Sequence, residues 1–190
     1  GIGSDARIGS RFLRAGPAYG GSCFPKDTKG LVSIADKFKS NLSIVKSVIK
    51  SNQNRKILLT KKVLKIMNNK IKNKKIAILG VTFKANTDDM REAPALYCLP
   101  EFLKAGARVQ AHDPVAMTNA RLELPAGVNY AHGAYEALEG ADLLVIFTDW
   151  ADYRAPDFDR IKSSLSEPIV IDGRNLYSPE KMRQLGFQYH

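Results

Sequence analysis

Short apolar runs that alternate with helix-like segments from residue 75 onward constrain the fold of this chain more than any other feature. The clearest run, ADLLVIFTD, is typical of a strand that is buried on both faces. Such alternation predicts an α/β fold with a parallel sheet and helices on both of its faces. The predicted strands cover 75–80, 107–114, 141–149 and 168–175, and the predicted helices cover 91–106, 134–140 and 157–165.

Ligands of such a sheet bind beyond the carboxyl ends of its strands. Here those ends carry the segments GVTFK, HDP, TDW and DGRN. Pro100 interrupts the apolar helix over 91–106, so we expect a kink there or two shorter helical pieces.

The first part of the chain has a different, mostly helical pattern. The apolar spacing predicts a short helix over 31–38 and a long one over 40–70. The polar segment 68–75 breaks that pattern, and we therefore expect two domains, 1–72 and 73–190. The apolar residues of the long helix that fall near one stripe are Ile44, Val48, Leu59, Val63 and Met67.

The charge is unevenly distributed along the chain. Residues 1–75 hold 18 Lys and Arg against 3 Asp and Glu, whereas residues 76–190 hold 11 against 16. The basic part could attract a nucleotide, a phosphosugar or a nucleic acid, or it could be a solvated helical surface. Residues 46–75 contain no aromatic residue, which argues against nucleic acid as a partner.

Two further composition features bear on cellular context. No apolar run approaches about 18 residues, so we expect no membrane span. Cys23 and Cys98 are too few for a disulfide framework, which favours a reducing, cytoplasmic setting. The three histidines show no ligand spacing, and we expect no metal.

The stretch GPAYGGSCFPKDTKG, residues 16–30, places a thiol directly after two glycines. Glycines let a backbone approach a ligand closely, so a ligand against Gly20 could reach the sulfur of Cys23. If Cys23 begins a helical turn, Lys26 and Asp27 fold back beside it. A nearby lysine favours the nucleophilic thiolate, which points to covalent catalysis on a carbonyl group. The alternative is a structural cysteine in a tight turn.

A second polar stretch, residues 80–94, follows the first predicted strand. It places Lys84, Arg91 and several hydroxyl and carboxyl groups just before a helix, which suits a phosphate. It is neither a Walker loop nor a G-x-G-x-x-G fingerprint. Asp88 and Asp89 could be a metal pair, but a role at the helix start needs no metal. Trp150 and Tyr153, after a later strand, could touch a base or pack in the core.

Together these segments resemble the nucleotide-sugar 6-dehydrogenases, the UDP-glucose/GDP-mannose dehydrogenase family. The matching pieces are SDARIGSRFLRAGPAYGGSCFPKDTKGL, KKIAILGVTFKANTDDMREAPA, HDP, TDW and IDGRNLY. The resemblance implies the end of a central helical region that builds a homodimer, followed by a Rossmann-like UDP-binding domain. It also implies that the NAD fingerprint and the acid–base lysine lie upstream, so we expect this chain to be inactive alone.

The implied reaction oxidises UDP-glucose to UDP-glucuronate, with NAD as cofactor, through a cysteine thiohemiacetal and thioester. Carried over position by position, Cys23 would be the nucleophile, and Asp27 would help to orient the hydrolytic water. Lys26 and Arg91 would reach toward NAD, and Arg7 would cross the dimer interface into the neighbouring substrate site. With Arg7, the residues implied at the UDP-sugar are Phe12, Leu13, Arg14, Ala15, Gly16, Tyr19, Gly20, Phe83, Lys84 and Arg174.

The chain departs from the family pattern at Ala18, where the family usually has glycine. A positive φ at this position would carry a penalty of about 1 kcal/mol. Three alternatives stay open: a dehydrogenase of GDP-mannose or of a UDP-amino sugar, a non-catalytic UDP-sugar-binding protein, and a basic nucleic-acid-binding module.

Overall fold

The structure, a computed structural model, describes residues 1–10 and 13–190. The predicted site residue Phe12 therefore lies outside the described residues. A six-stranded sheet carries the fold, with the strand order β3-β2-β1-β4-β5-β6 and every neighbouring pair parallel. The strands are β1 Lys75–Leu79, β2 Arg108–His112, β3 Val128–Tyr130, β4 Leu143–Ile146, β5 Ile169–Asp172 and β6 Gln188–Tyr189.

Among the described residues, two α-helices precede the sheet, and five α-helices lie between or after its strands. The helices are α1 Cys23–Lys37, α2 Ser43–Ile66, α3 Pro94–Lys104, α4 Met117–Glu123, α5 Ala134–Leu138, α6 Phe158–Ser164 and α7 Pro179–Gln184. The four strands and the α/β class predicted from the sequence are confirmed. The predicted short helix at 31–38 is longer than expected, because α1 already begins at Cys23 and accommodates Pro25 in its first turn.

Alternate residues of the central strands build two separate cores. Ile76 and Ile78 of β1 belong to the same buried cluster as Leu99 of α3, whereas Ala77 and Leu79 belong to the cluster of α5, α6 and α7. Helices therefore cover both faces of the sheet, as predicted. Val63 near the end of α2 is also part of the first cluster, so the N-terminal helical segment and the sheet share a core.

Pro100 lies inside α3, but the helix is continuous across it. The two shorter pieces considered from the sequence therefore do not occur. Proline removes one backbone hydrogen bond, while Leu99 and Phe102 on either side of it are fully buried. Burial of each such side chain stabilises the packed helix by about 1.5–3 kcal/mol, which is comparable to the cost of the proline.

The sheet order reverses between β1 and β4, and the loops that follow these strands meet there. Gly80 has a φ of +83°, and a Cβ at this position would overlap the Thr148 side chain. The Thr148 hydroxyl donates a 2.6 Å hydrogen bond to the Thr82 carbonyl. The loops after β1 and β4 therefore pack directly on each other at Gly80 and Thr148, before the chain continues to Phe83 and Lys84.

Candidate functional site

A cavity of about 600 Å³ lies where the N-terminal segment faces the carboxyl edge of the sheet. Its walls come from residues 16–21, which we call the glycine-rich loop, from α1 and α2, and from the loops after β1 and β5. The lining residues are Arg14, Gly16, Ala18, Tyr19, Gly20, Phe24, Thr28, Val48, Ser51, Asn52, Arg55, Phe83, Lys84 and Arg174.

Basic side chains supply the charged part of this lining. Arg14, Arg55, Lys84 and Arg174 all border the cavity, and its lining, among the residues described, includes no carboxylate. The apolar part includes the aromatic rings of Tyr19, Phe24 and Phe83. The cavity therefore suits a ligand that combines an anionic group with flat or apolar rings.

Arg174 joins the loops that follow β1, β4 and β5. Its guanidinium donates through Nε to the Phe147 carbonyl at 2.7 Å and through Nη2 to the Phe83 carbonyl. Its backbone N–H donates to Asp172 at 2.8 Å, which fixes the turn after β5. Burial lowers the pKa of Arg174, and two nearby aspartates oppose that shift. The side chain stays cationic because the ordinary pKa of arginine is so high.

Gly16 allows the glycine-rich loop to lie directly on this guanidinium. A Cβ at this position would approach Arg174 Nη1 to 2.8 Å, so a larger residue would displace one of the two. Arg55 of α2 donates to the Gly16 carbonyl at 3.4 Å.

Gly20 and Gly21 dock on the connection between β1 and α3. A Cβ at Gly20 would lie 2.8 Å from the Glu92 carbonyl oxygen, and one at Gly21 would lie 2.7 Å from the Phe83 ring. Gly21 has a φ of +81°, and its N–H donates to the Arg91 carbonyl at 2.7 Å. Both the close contact and the left-handed backbone therefore require glycine here.

Asn52 of α2 holds the loop from the opposite side. Its Oδ1 accepts from the Tyr19 N–H at 2.8 Å, and its Nδ2 donates to the Tyr19 carbonyl at 3.0 Å. Asn52 is buried, so both backbone groups of Tyr19 obtain partners away from bulk water. Ala18, one residue earlier, does not adopt a positive φ, so the penalty considered from the sequence does not arise.

Cys23 is the first residue of α1, immediately after the docked glycines. Its thiol is exposed and lies 3.6 Å from the Ser22 hydroxyl. Cys23 does not line the cavity, although the next residue, Phe24, does. Asp27 follows one helical turn later and forms a 3.2 Å ion pair with Lys26. Because α1 begins at Cys23, the side chains of Lys26 and Asp27 lie one turn further along the same side of the helix, as expected.

The structure gathers seven of the predicted site residues at the cavity and leaves others outside it. The residues gathered are Arg14, Gly16, Tyr19, Gly20, Phe83, Lys84 and Arg174. Ala15 lines smaller hollows beside it, and Leu13 is exposed. Arg7, with 88% of its side chain exposed, pairs with Asp5 through two contacts of 2.7 and 3.0 Å.

Arg91 forms a similar two-pronged pair with Asp89, at 2.8 and 2.9 Å. The Asp89 carboxylate raises the pKa of Arg91 through this hydrogen-bonded pair. Asp89 thus forms an ion pair with Arg91 and does not cap a helix, because α3 begins only at Pro94 with Ala93 as its N-cap.

The sequence alternative left open for Trp150 and Tyr153 is settled in favour of packing. Trp150 and Tyr153 are buried, and the Trp150 indole donates to Asp113 at 3.1 Å. Cys98 is fully buried, and burial raises the pKa of its thiol to about 11.

One face of α2 escaped the sequence interpretation although its spacing signals a helix face. Val48, Ser51, Asn52 and Arg55 all line the cavity and follow the i, i+3, i+4, i+7 pattern. The apolar stripe recognised in the sequence includes only the first of them.

Comparison with known proteins adds family matches over most of the chain. Residues 77–179 match the UDP-glucose/GDP-mannose dehydrogenase family, UDP binding domain, and residues 1–54 match the central domain of the same family. A UDP-glucose 6-dehydrogenase from Rhizobium meliloti is 48% identical over 189 residues, and UDP-glucose 6-dehydrogenase YwqF from Bacillus subtilis is 42% identical over 190.

Among solved structures, a UDP-glucose dehydrogenase from Pyrobaculum islandicum superposes with a TM-score of 0.80 at 31% identity. These matches cover 100% of this chain but only 43% of the two curated relatives and 41% of the solved chain. The chain therefore spans less than half the length of the proteins that it is similar to. Within the described residues, no helix is long and apolar enough to cross a membrane.

Proposed function

Because this chain belongs to the UDP-glucose/GDP-mannose dehydrogenase family, we propose that it holds the UDP-sugar and supplies the nucleophilic cysteine of an NAD-dependent UDP-glucose 6-dehydrogenase. The observation that carries the proposal is the basic, aromatic-lined cavity beside the helix that begins at Cys23. The fold alone does not identify a substrate. The basic and aromatic side chains of the lining, however, support a UDP-sugar.

In this proposal the diphosphate of UDP-glucose lies among Arg14, Lys84 and Arg174. Guanidinium and ammonium groups bind phosphate oxygens through charge-assisted hydrogen bonds. Tyr19, Phe24 and Phe83 offer aromatic surface to the uracil and sugar rings. The Lys84 side chain is exposed, and its ammonium lies over the Phe83 ring, 5.3 Å from the centroid.

Cys23 then acts on the sugar aldehyde that the first oxidation produces. Its thiolate sulfur adds to the carbonyl carbon and gives a thiohemiacetal, whose oxidation leaves a thioester. Water attacks the thioester, releases the carboxylic acid and restores the thiol. Asp27, one helical turn from Cys23, would orient that water. NAD, when bound, supplies the hydride acceptor.

The residues described here fit only a minor part of an NAD site. Gly80 after β1 contacts Thr148 closely, and thirteen further residues separate it from α3 at Pro94, so no strand–turn–helix cradle for a pyrophosphate is formed. Lys26 and Arg91 are exposed cations near Cys23 and would contact NAD that other residues hold.

We also propose that the family's homodimer forms through α1 and α2. Exposed apolar side chains on these helices and directly after α1 support this: Ile34 is 58% exposed, Phe38 73% and Ile44 79%. The two free cysteines are consistent with a cytoplasmic setting.

Calorimetry of UDP binding to the 190-residue chain tests the substrate site. We expect Lys84→Met to weaken binding by roughly 10- to 100-fold, because a hydrogen bond to a charged group contributes about 1.5–3 kcal/mol. Lys61→Met, an exposed position on α2 outside the cavity, is the matched control and should leave the affinity unchanged. Equal affinities of the two variants would refute the placement of the diphosphate.

The nucleophile is tested in the complete polypeptide that contains this chain. Cys23→Ser should leave UDP affinity within about twofold and reduce UDP-glucuronate formation by roughly a thousandfold or more. Formation of the acid at the normal rate by this variant would refute covalent catalysis by Cys23.

A further inference from the structure

Glu92 links three parts of the structure, although no sequence motif marked it as functional. It lies in the connection between β1 and α3, in a left-handed conformation with a φ of +55°. Its carboxylate oxygens contact Lys29 Nζ of α1 at 2.7 Å and Lys56 Nζ of α2 at 3.0 Å. Lys56 has only 5% of its side chain exposed, so Glu92 supplies the negative charge that a buried ammonium requires.

The backbone of Arg91 and Glu92 is also the surface on which the glycine-rich loop packs. The Arg91 carbonyl accepts the Gly21 N–H, and the Glu92 carbonyl lies against Gly20 with no room for a side chain. Only Ser22 separates this contact from Cys23. The Glu92 side chain thus holds the backbone of Arg91 and Glu92 in place relative to α1 and α2. The same backbone contacts Gly20 and Gly21 and so sets the position and direction of the Cys23 thiol.

We propose that Glu92 is a positioning residue for Cys23. The proposal rests on the proposed function, since it assumes that the thiol must meet a carbon of a sugar held in the cavity. Glu92 would act on the reacting geometry through Gly20 and Gly21, without touching substrate. A non-glycine residue persists in a left-handed conformation only when its surroundings hold it there, and the two lysines are such surroundings.

Glu92→Gln keeps the size of the side chain but removes the charge, and Glu101→Gln is its matched control. Glu101 lies on α3, and among the described residues its carboxylate pairs only with the exposed Lys104, at 3.9 Å. In the complete polypeptide we expect Glu92→Gln to lower kcat at least tenfold while KM for UDP-glucose and UDP affinity change less than threefold. The control should change none of these quantities.

A double variant separates positioning from simple neutralisation of Lys56. Glu92→Gln with Lys56→Met removes the unpaired buried charge, so it also provides a folded protein if the single variant is unstable. If Glu92 positions Cys23, kcat stays low in the double variant; recovery of kcat to the control level would overturn the proposal. An equal loss in kcat and in UDP affinity would overturn it as well, because the whole cavity would then be affected.

A thiol measurement keeps this test independent of the proposed activity. The rate of Cys23 alkylation by iodoacetamide in the 190-residue chain needs neither NAD nor turnover. We expect Glu92→Gln to change that rate at least threefold and Glu101→Gln to leave it unchanged. Equal rates in wild type and Glu92→Gln would refute the positioning role, whereas full activity of Cys23→Ser would refute only the proposed function.

Discussion

Replacement of Asn52 by aspartate should release the glycine-rich loop from α2. Asparagine both donates to and accepts from the backbone of Tyr19, at 3.0 and 2.8 Å, whereas aspartate can only accept. The substitution conserves shape, so the lost donor is the main change. The Tyr19 carbonyl loses its partner and instead faces a carboxylate oxygen.

The magnitude follows from this single lost contact. A net hydrogen bond contributes about 1 kcal/mol, and an unpaired buried carbonyl costs a further 1–3 kcal/mol or so. Because Tyr19 is only half-buried, we expect the lower end, a loss of about 2 kcal/mol in the free energy of unfolding. With a urea m-value of about 2 kcal/mol/M, the unfolding midpoint should fall by roughly 1 M.

Urea unfolding followed by circular dichroism measures this shift. Asn54→Asp introduces the same charge two residues away, at an exposed position of the same helix, and should leave the midpoint within about 0.3 M of wild type. If both variants unfold at the same urea concentration, the reciprocal Asn52–Tyr19 contact does not stabilise the loop and this reasoning fails.

Two other predictions concern titratable groups. A thiol reagent at pH 8 should modify one cysteine per folded chain and two in denaturant, because Cys23 is exposed while Cys98 is buried with a pKa raised to about 11; modification of both in the folded chain would contradict the packing of α3. Lys29 and Lys56 lower the pKa of Glu92, so the stability that its carboxylate contributes is complete above the ordinary glutamate pKa of about 4.3 and is lost as the pH falls through the lowered value. The difference in Tm between wild type and Glu92→Gln should therefore be largest near neutral pH and shrink below about pH 4, and a difference independent of pH would contradict the ion pairs.

The sequence predicted the parts of the fold that local patterns determine. Short continuous apolar runs bounded by turn residues, such as Leu143–Ile146, are typical of buried strands, so the sheet and its helices could be predicted. β6, with two residues, and β3, with three, are too short to produce a period of their own. The uninterrupted helix at Pro100 depends on tertiary burial of its neighbours, which local propensity does not contain.

The candidate site was predictable where glycines and motif residues mark it, and not where distant partners build it. The predicted loop and the cations Arg14, Lys84 and Arg174 do meet at the cavity. Asn52 and Tyr19 are 33 residues apart in sequence, and Glu92 and Lys56 are 36 apart. Such pairs have no local signal, so their roles became visible only when the elements were placed in space.

The shared walls of the cavity restrict how this chain can exchange segments with its relatives. The polar stretch near residue 70 looks like a convenient crossover point, since it separates helices from sheet. A crossover there, however, would inherit Gly20 and Gly21 from one parent and, from the other, the Phe83 side chain and the Glu92 backbone, which leave no room for a larger residue. Productive chimeras must therefore take the glycine-rich loop and the connection between β1 and α3 from the same parent, and these two surfaces are expected to diverge together.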